Sequence, residues 1–153
     1  MHEFAYAYML IEEGDEIFLE FPKFGSDLIC SIDAAQFKKL NEDEVREYAR
    51  DAVVIALQTI IASHDEIPEA DSSLVVADDF VHLCVRHAMK IKLYELYRAN
   101  FSSISQFAKK IEKPKTSAHR LLDLRHRSRT DEIEQAFEAL GKRLVHGWKL
   151  EAA

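Results

Sequence analysis

The sequence predicts an α+β chain, with an N-terminal β-β-β-α-β part over residues 1–85 followed by an all-α part over residues 86–145. Three observations carry this reading. Apolar residues alternate along the first 32 positions, the spacing changes to three and four from residue 45, and the charge changes sign near residue 86. Residues 86–129 hold twelve Lys and Arg against Glu95, Glu112 and Asp123, a net +9 inside a chain of net −7. Residues 1–85 carry five bases and nineteen acids, and residues 130–153 carry three and five. An acidic front half joined to a basic stretch describes two parts that face different partners, and the basic part suits a polyanion.

Phe4 to Ile11 places Phe4, Tyr6 and Tyr8 at alternate positions, and Glu16 to Phe21 sets Ile17, Leu19 and Phe21 opposite Phe18 and Glu20. This predicts two antiparallel strands joined at Glu13-Gly14-Asp15. Pro22 and Gly25 break the alternation, and Asp27 to Ile32 predicts a third strand of a meander. Asn41-Glu42-Asp43-Glu44 combines an N-cap residue, acids in the first turn and a capping-box Glu, so a helix should follow. Its stripe of Val45, Tyr48, Ala49, Ala52, Val53, Ala56, Leu57 and Ile60 can cover a sheet face. The helix is expected to run to Ile67, where Pro68 stops it. After an acidic, turn-rich stretch from Pro68 to Asp79, Phe80 to Val85 predicts a fourth strand.

From His87 the spacing is helical through Tyr97 and breaks at Asn100-Phe101-Ser102-Ser103. Ser105 is the expected cap of a short helix holding Phe107, Ala108 and Ile111. Lys115 to Leu124 forms the next helix after Lys113-Pro114, and Thr130 caps a last one, with Ile133, Phe137 and Leu140, that ends at Gly141. No pattern assigns the tail that holds Trp148.

A chain of 153 residues, 48% of them hydrophobic, can bury one core or two small ones. No run approaches the ~18–20 apolar residues of a membrane span, and Met1-His2-Glu3 lacks the order of a signal peptide. A soluble, cytoplasmic protein with no membrane partner is expected. Cys30 and Cys84 both sit in apolar, strand-like runs and are expected as small buried hydrophobes without a disulfide.

The two short helices, Ser105 to Ile111 and Lys115 to Leu124, have the spacing of a helix-turn-helix, in which the second helix enters the major groove. Ala118, Leu121 and Leu122 then face inward. Lys115, Thr116, Ser117, His119 and Arg120 are the candidates for the groove, and Lys109, Lys110, Lys113, Arg125 and Arg127 for phosphates, with Ser105 and Gln106 at the start of the first helix. The plainer reading is a solvated basic bundle that balances the acidic half.

The enzymatic alternative treats the sheet as a two-metal nuclease, but Glu12, Glu13, Asp15 and Glu16 cluster at a hairpin tip instead of converging from separate strands. His82, Cys84 and His87 match no zinc spacing, and strand alternation accounts for His82 and Cys84. With four glycines there is no phosphate-cradling loop. No catalysis, no metal and no cofactor are expected.

The chain resembles the HicB family of antitoxins, in the branch that carries a helix-turn-helix. The resemblance rests on Glu20-Phe21-Pro22, Tyr48-Ala49-Arg50-Asp51-Ala52, Ile67-Pro68-Glu69 with Asp71-Ser72, Lys113-Pro114-Lys115 through Arg120-Leu121-Leu122, and Ala139-Leu140-Gly141-Lys142. It implies a reduced, inactive RNase H-like N-terminal domain over residues 1–85 that covers a small basic, mRNA-cleaving toxin of the HicA type. It also implies a helix-turn-helix domain over residues 86–145 that binds the operon's own palindromic operator as a homodimer or homotetramer. Phe21, Pro22, Phe24 and Asp27 flank a turn expected to be exposed and are the candidate toxin contacts, with core packing the alternative for the two aromatics. Two departures stand out: the passage from Phe24 to Lys39 is long and has Lys39 where a glycine is expected, and Glu112 occupies the usual glycine of the helix-turn-helix. A stand-alone helix-turn-helix transcription regulator with a dimerising or ligand-sensing N-terminal domain is the other reading.

Overall fold

The computed structural model describes residues 4–70 and 79–144. The chain divides into two compact units, Met1–Ala88 and Met89–Ala153, where the charge pattern placed the break after residue 85. It is mixed α and β, with an antiparallel sheet followed by helices.

In the first unit, β1 (Ala5–Glu13) and β2 (Glu16–Glu20) form a hairpin in register Leu10↔Leu19 and Glu13↔Glu16. Gly14 holds φ +61°, while Asp15 has no positive φ, which fits the two-residue turn that takes glycine first. β3 (Ile29–Asp33) pairs with β2, and β4 (Asp79–His82) pairs with the N-terminal half of β1, giving the antiparallel order β3-β2-β1-β4. Flanked on both sides, β1 is buried from Ala5 to Tyr8. Between β2 and β3, Pro22–Asp27 forms a 3-10 turn whose Phe24 packs 5.2 Å from Tyr6, while Phe21 lies 6.0 Å from Tyr8.

Asp33 then caps α1 (Ala34–Phe37), its Oδ1 accepting from the Ala35 and Gln36 N–H groups at 3.0 Å. This helix fills the long passage before Lys39. Helix α2 (Glu42–Ala62) starts in the expected capping box, with Asn41 Oδ1 accepting from Glu44 N–H at 2.9 Å and the Glu44 carboxylate accepting from Asn41 N–H at 2.8 Å. It spans the sheet: Tyr48 OH donates to Ser31 O at 3.1 Å, and Arg50 Nε donates to His82 O at 3.2 Å. Its end corrects the expectation of a helix reaching Ile67. His64 takes φ +60°, and the Asp65 and His64 N–H groups bond back to Ile60 O and Ile61 O, closing the helix at Ala62 in a Schellman turn with histidine at the left-handed position.

Helix α3 (Val85–Asn100) begins two residues earlier than expected, which shortens the fourth strand. In the second unit, Tyr94, Tyr97, Phe101 and Phe107 pack in a chain of ring contacts, with Tyr97 5.2 Å and Phe101 5.5 Å from Phe107. Helix α4 (Ile104–Lys110) is capped by Ser103, not by Ser105, through Ser103 Oγ accepting from Gln106 N–H at 3.3 Å. Helix α5 (Lys115–Leu122) stops two residues short of Leu124. In α6 (Thr130–Ala139) the cap position is Arg129, whose N–H donates to the Glu132 carboxylate at 3.2 Å. Gly141, at φ +69°, closes α6 in a second Schellman turn through Gly141 N–H to Glu138 O and Lys142 N–H to Phe137 O. The Asp71-Ser72 pair and Trp148 lie outside the described residues.

Candidate functional site

The candidate DNA surface is built on α4, α5 and the four residues between them. Ile111 is buried and anchors the link, and Glu112 then adopts φ +55°. Lys113 N–H bonds to Ala108 O at 3.0 Å and Glu112 N–H to Lys109 O at 3.3 Å, so α4 ends in the same Schellman geometry as α2 and α6. Glutamate bears here the left-handed strain that glycine would avoid. Pro114, with its fixed φ, occupies the cap position of α5.

Helix α5 buries Ala118, Leu121 and Leu122, as its spacing predicts. Lys115, Thr116, His119 and Arg120 are exposed, and Ser117 is half-buried. Ser105, Gln106, Lys109, Lys110, Lys113, Arg125 and Arg127 are exposed too, so all twelve candidate DNA contacts reach the surface of the second unit. Gln106 is partly committed: its Oε1 accepts from Ser102 N–H at 3.2 Å and Ser102 Oγ at 2.9 Å. A cleft beside α5 is lined by Lys113, Ser117, Arg120, His126, Ser128 and Glu132, with Leu121 also on its wall.

The basic block hides one residue whose role its charge does not announce. Lys90 is 0% exposed, and its ammonium donates to the carbonyl oxygens of Arg120 at 2.8 Å, Asp123 at 2.6 Å and His126 at 2.8 Å. A cation at the C-terminal end of α5 also meets the negative pole of that helix. Ser128, 5% exposed, donates from Oγ to Arg120 O at 3.2 Å and sits 3.2 Å from His126 Nδ1. The connection from α5 to α6 is thus tied to α3 by a buried ammonium, and this is what positions Arg125 and Arg127. The signal lay in the sequence: Lys90 stands where the stripe of Leu93, Tyr94 and Tyr97 calls for an apolar residue.

The other candidate surface is changed by the structure. Phe21 is 0% and Phe24 8% exposed, because both fold back onto Tyr6 and Tyr8. They hold the turn's shape instead of presenting aromatic contacts, while Pro22 and Asp27 remain exposed. Glu12, Glu13, Asp15 and Glu16 form an exposed acidic hairpin tip. The cysteines also differ from expectation. Cys84 is exposed in the link before α3, and Cys30, half-buried on β3, has its thiol pushed up by burial; both are free. Among the described residues no group of three His, Cys, Asp or Glu side chains is placed to hold a metal ion, and no helix is long and apolar enough to cross a membrane.

No family model matches the chain. It is 31% identical over 101 residues to "Antitoxin HicB" of Escherichia coli (strain K12), a stretch that covers 66% of this chain and 72% of that protein. The chain belongs to the HicB antitoxin family. The same identity and coverage hold for Antitoxin HicB of Escherichia coli O157:H7. Antitoxin HicB of Pseudomonas fluorescens (strain Pf0-1) is 25% identical over 103 residues, 67% of this chain and 70% of its own length. The HicB family is the one that the residue patterns resemble, and the two places where the chain departs from those patterns are the ones where it forms α1 and turns through Glu112.

Proposed function

We propose that the protein is an antitoxin that binds and neutralises a small basic, RNA-cleaving toxin of the HicA type and represses its own operon by binding a palindromic operator. The observation that carries this reading is the similarity to proteins named Antitoxin HicB over two thirds of the chain. Residues 1–85 form the toxin-neutralising domain, a reduced RNase H-like fold without catalysis. Its acidic hairpin tip supports the reading, since exposed acids speed association with a basic partner and cover its cationic RNA site. Residues 86–145 form the DNA-binding domain, a helix-turn-helix in which α4 crosses the backbone and α5 enters the major groove. Buried Ala118, Leu121 and Leu122 opposite exposed Lys115, Thr116 and His119 support this assignment. One such unit reads too few bases for a unique site, so the protein works as a dimer or tetramer in the cytoplasm.

Co-expression with the small reading frame beside the gene tests the reading, scoring growth, co-purification and RNA cleavage with and without this chain. Rescue of growth with a stable complex is the expected result. A neighbour that is harmless alone, or that never binds, would overturn it and leave a stand-alone regulator.

A further inference from the structure

We propose that the cleft beside α5 seats one backbone phosphate of bound DNA, and that Ser117 belongs to this seat and not to the base-reading set. The inference rests on the DNA-binding reading above and adds a site to it. At 3.6 residues per turn, Lys115, Thr116 and His119 fall within one half of the exposed arc of α5, and Ser117 and Arg120 fall in the other half. The second half faces the cleft, where Lys113 and Arg120 bring two cations and Ser117 brings a hydroxyl, while His126 and Ser128, whose own hydroxyl proton is given to Arg120 O, form the wall behind them. A phosphodiester asks for this mixture: one negative charge, with oxygens that accept from several donors at once. The cleft measures about 120 Å³, well beyond the room one water needs.

The seat is built before any ligand arrives. Its far wall is the α5–α6 connection, and Lys90 pins that wall through the carbonyls of Arg120, Asp123 and His126. Buried Ser128 adds bonds to Arg120 O and His126. A fixed wall keeps the cleft's shape at no further entropic cost when DNA binds. Glu132 is the opposing charge. Its carboxylate accepts the Arg129 N–H at the start of α6, so it is occupied, but it still repels a phosphate.

Fluorescence anisotropy tests this with the full-length protein and two labelled duplexes, one from the DNA upstream of its own coding sequence and one a scrambled version, between about 50 and 200 mM salt. Lys113→Gln should weaken binding to both duplexes by the same factor and flatten the salt slope by about 0.9 for each protomer that contacts the duplex, about 1.8 for a dimer. Ser117→Ala should weaken both equally with the slope unchanged. Glu132→Gln, which can still accept the Arg129 N–H, should tighten both several-fold. Ring signals of His126 should shift when duplex is added. If Ser117→Ala instead narrows the gap between the two duplexes, Ser117 reads bases and the proposal falls. It falls equally if inorganic phosphate moves the His126 signals and duplex does not, which would make the cleft a site for free anion. Wild-type protein that binds neither duplex at any salt would remove the DNA-binding reading itself.

Discussion

Replacing Lys90 by Met removes the ammonium and leaves an unbranched apolar side chain one atom shorter. Three charge-assisted hydrogen bonds disappear, to Arg120 O at 2.8 Å, Asp123 O at 2.6 Å and His126 O at 2.8 Å. Bonds of this kind contribute about 1.5–3 kcal/mol each, a gross loss of about 5–9 kcal/mol. Two effects offset much of that. The thioether avoids the several kcal/mol that dehydrating an ammonium costs. Each carbonyl also keeps a second donor: Ser128 Oγ on Arg120 at 3.2 Å, His126 N–H on Asp123 at 3.2 Å and Ser128 N–H on His126 at 2.9 Å. A net destabilisation of about 2–4 kcal/mol is therefore expected, well beyond a surface substitution. Urea unfolding followed by circular dichroism reads the loss, and amide exchange across residues 123–128 locates it. An unfolding free energy within about 0.5 kcal/mol of wild type, with unchanged exchange at Leu124 and Ser128, would refute the reasoning.

The remaining predictions concern single positions. Glu112→Gly relieves the left-handed strain at φ +55° and removes an acid near the basic surface, so unfolding midpoints should rise by the equivalent of about 0.5–1 kcal/mol and DNA affinity should increase, most clearly at low salt. Phe24→Ala should cost about 3–5 kcal/mol in a urea titration because the ring is core, whereas Asp27→Lys should leave the midpoint unchanged and weaken co-purification with the toxin. Asp33→Ala removes the acceptor for two N–H groups of α1 and should cost about 1 kcal/mol by the same titration. Maleimide should label exposed Cys84 well before half-buried Cys30, whose thiol burial holds above its usual range; equal rates would contradict the placement of β3.

The four strands and the start of α2 were legible because alternation, a hairpin glycine and the Asn41–Glu44 capping box all act locally. Helix ends were legible where a glycine or a break in the spacing marked them, as at Asn100 for α3. Gly141 announced the end of α6, but the equivalent positions in α2 and α4 are His64 and Glu112, and no propensity points to those residues at φ near +60°. Helix α1 was missed because four residues are too few to show a period. In the second unit, the inward and outward faces of α5 followed from spacing. Lys90 falls on an inward stripe by the same spacing but counts as surface charge in the basic block, because a sum of charges is blind to burial. Phe21 and Phe24 illustrate the converse: beside Pro22 and Gly25 they look like residues of an exposed turn, and only contact with Tyr6 and Tyr8 shows otherwise.

The pairing of β1 imposes an order of events on synthesis. Its C-terminal half meets β2 at once through the two-residue turn, but its N-terminal half must await β4, with Ala5 opposite His82. At ribosomal speeds of about 5–20 residues per second, the edge of Ala5 to Tyr8 stays open for about 4–15 s while the intervening chain is made. Until then the most apolar strand of the sheet offers unpaired N–H and C=O groups to any passing strand. The N-terminal unit therefore cannot be complete until β4 has left the exit tunnel, and in that interval a nascent chain is exposed to misassembly and proteolysis.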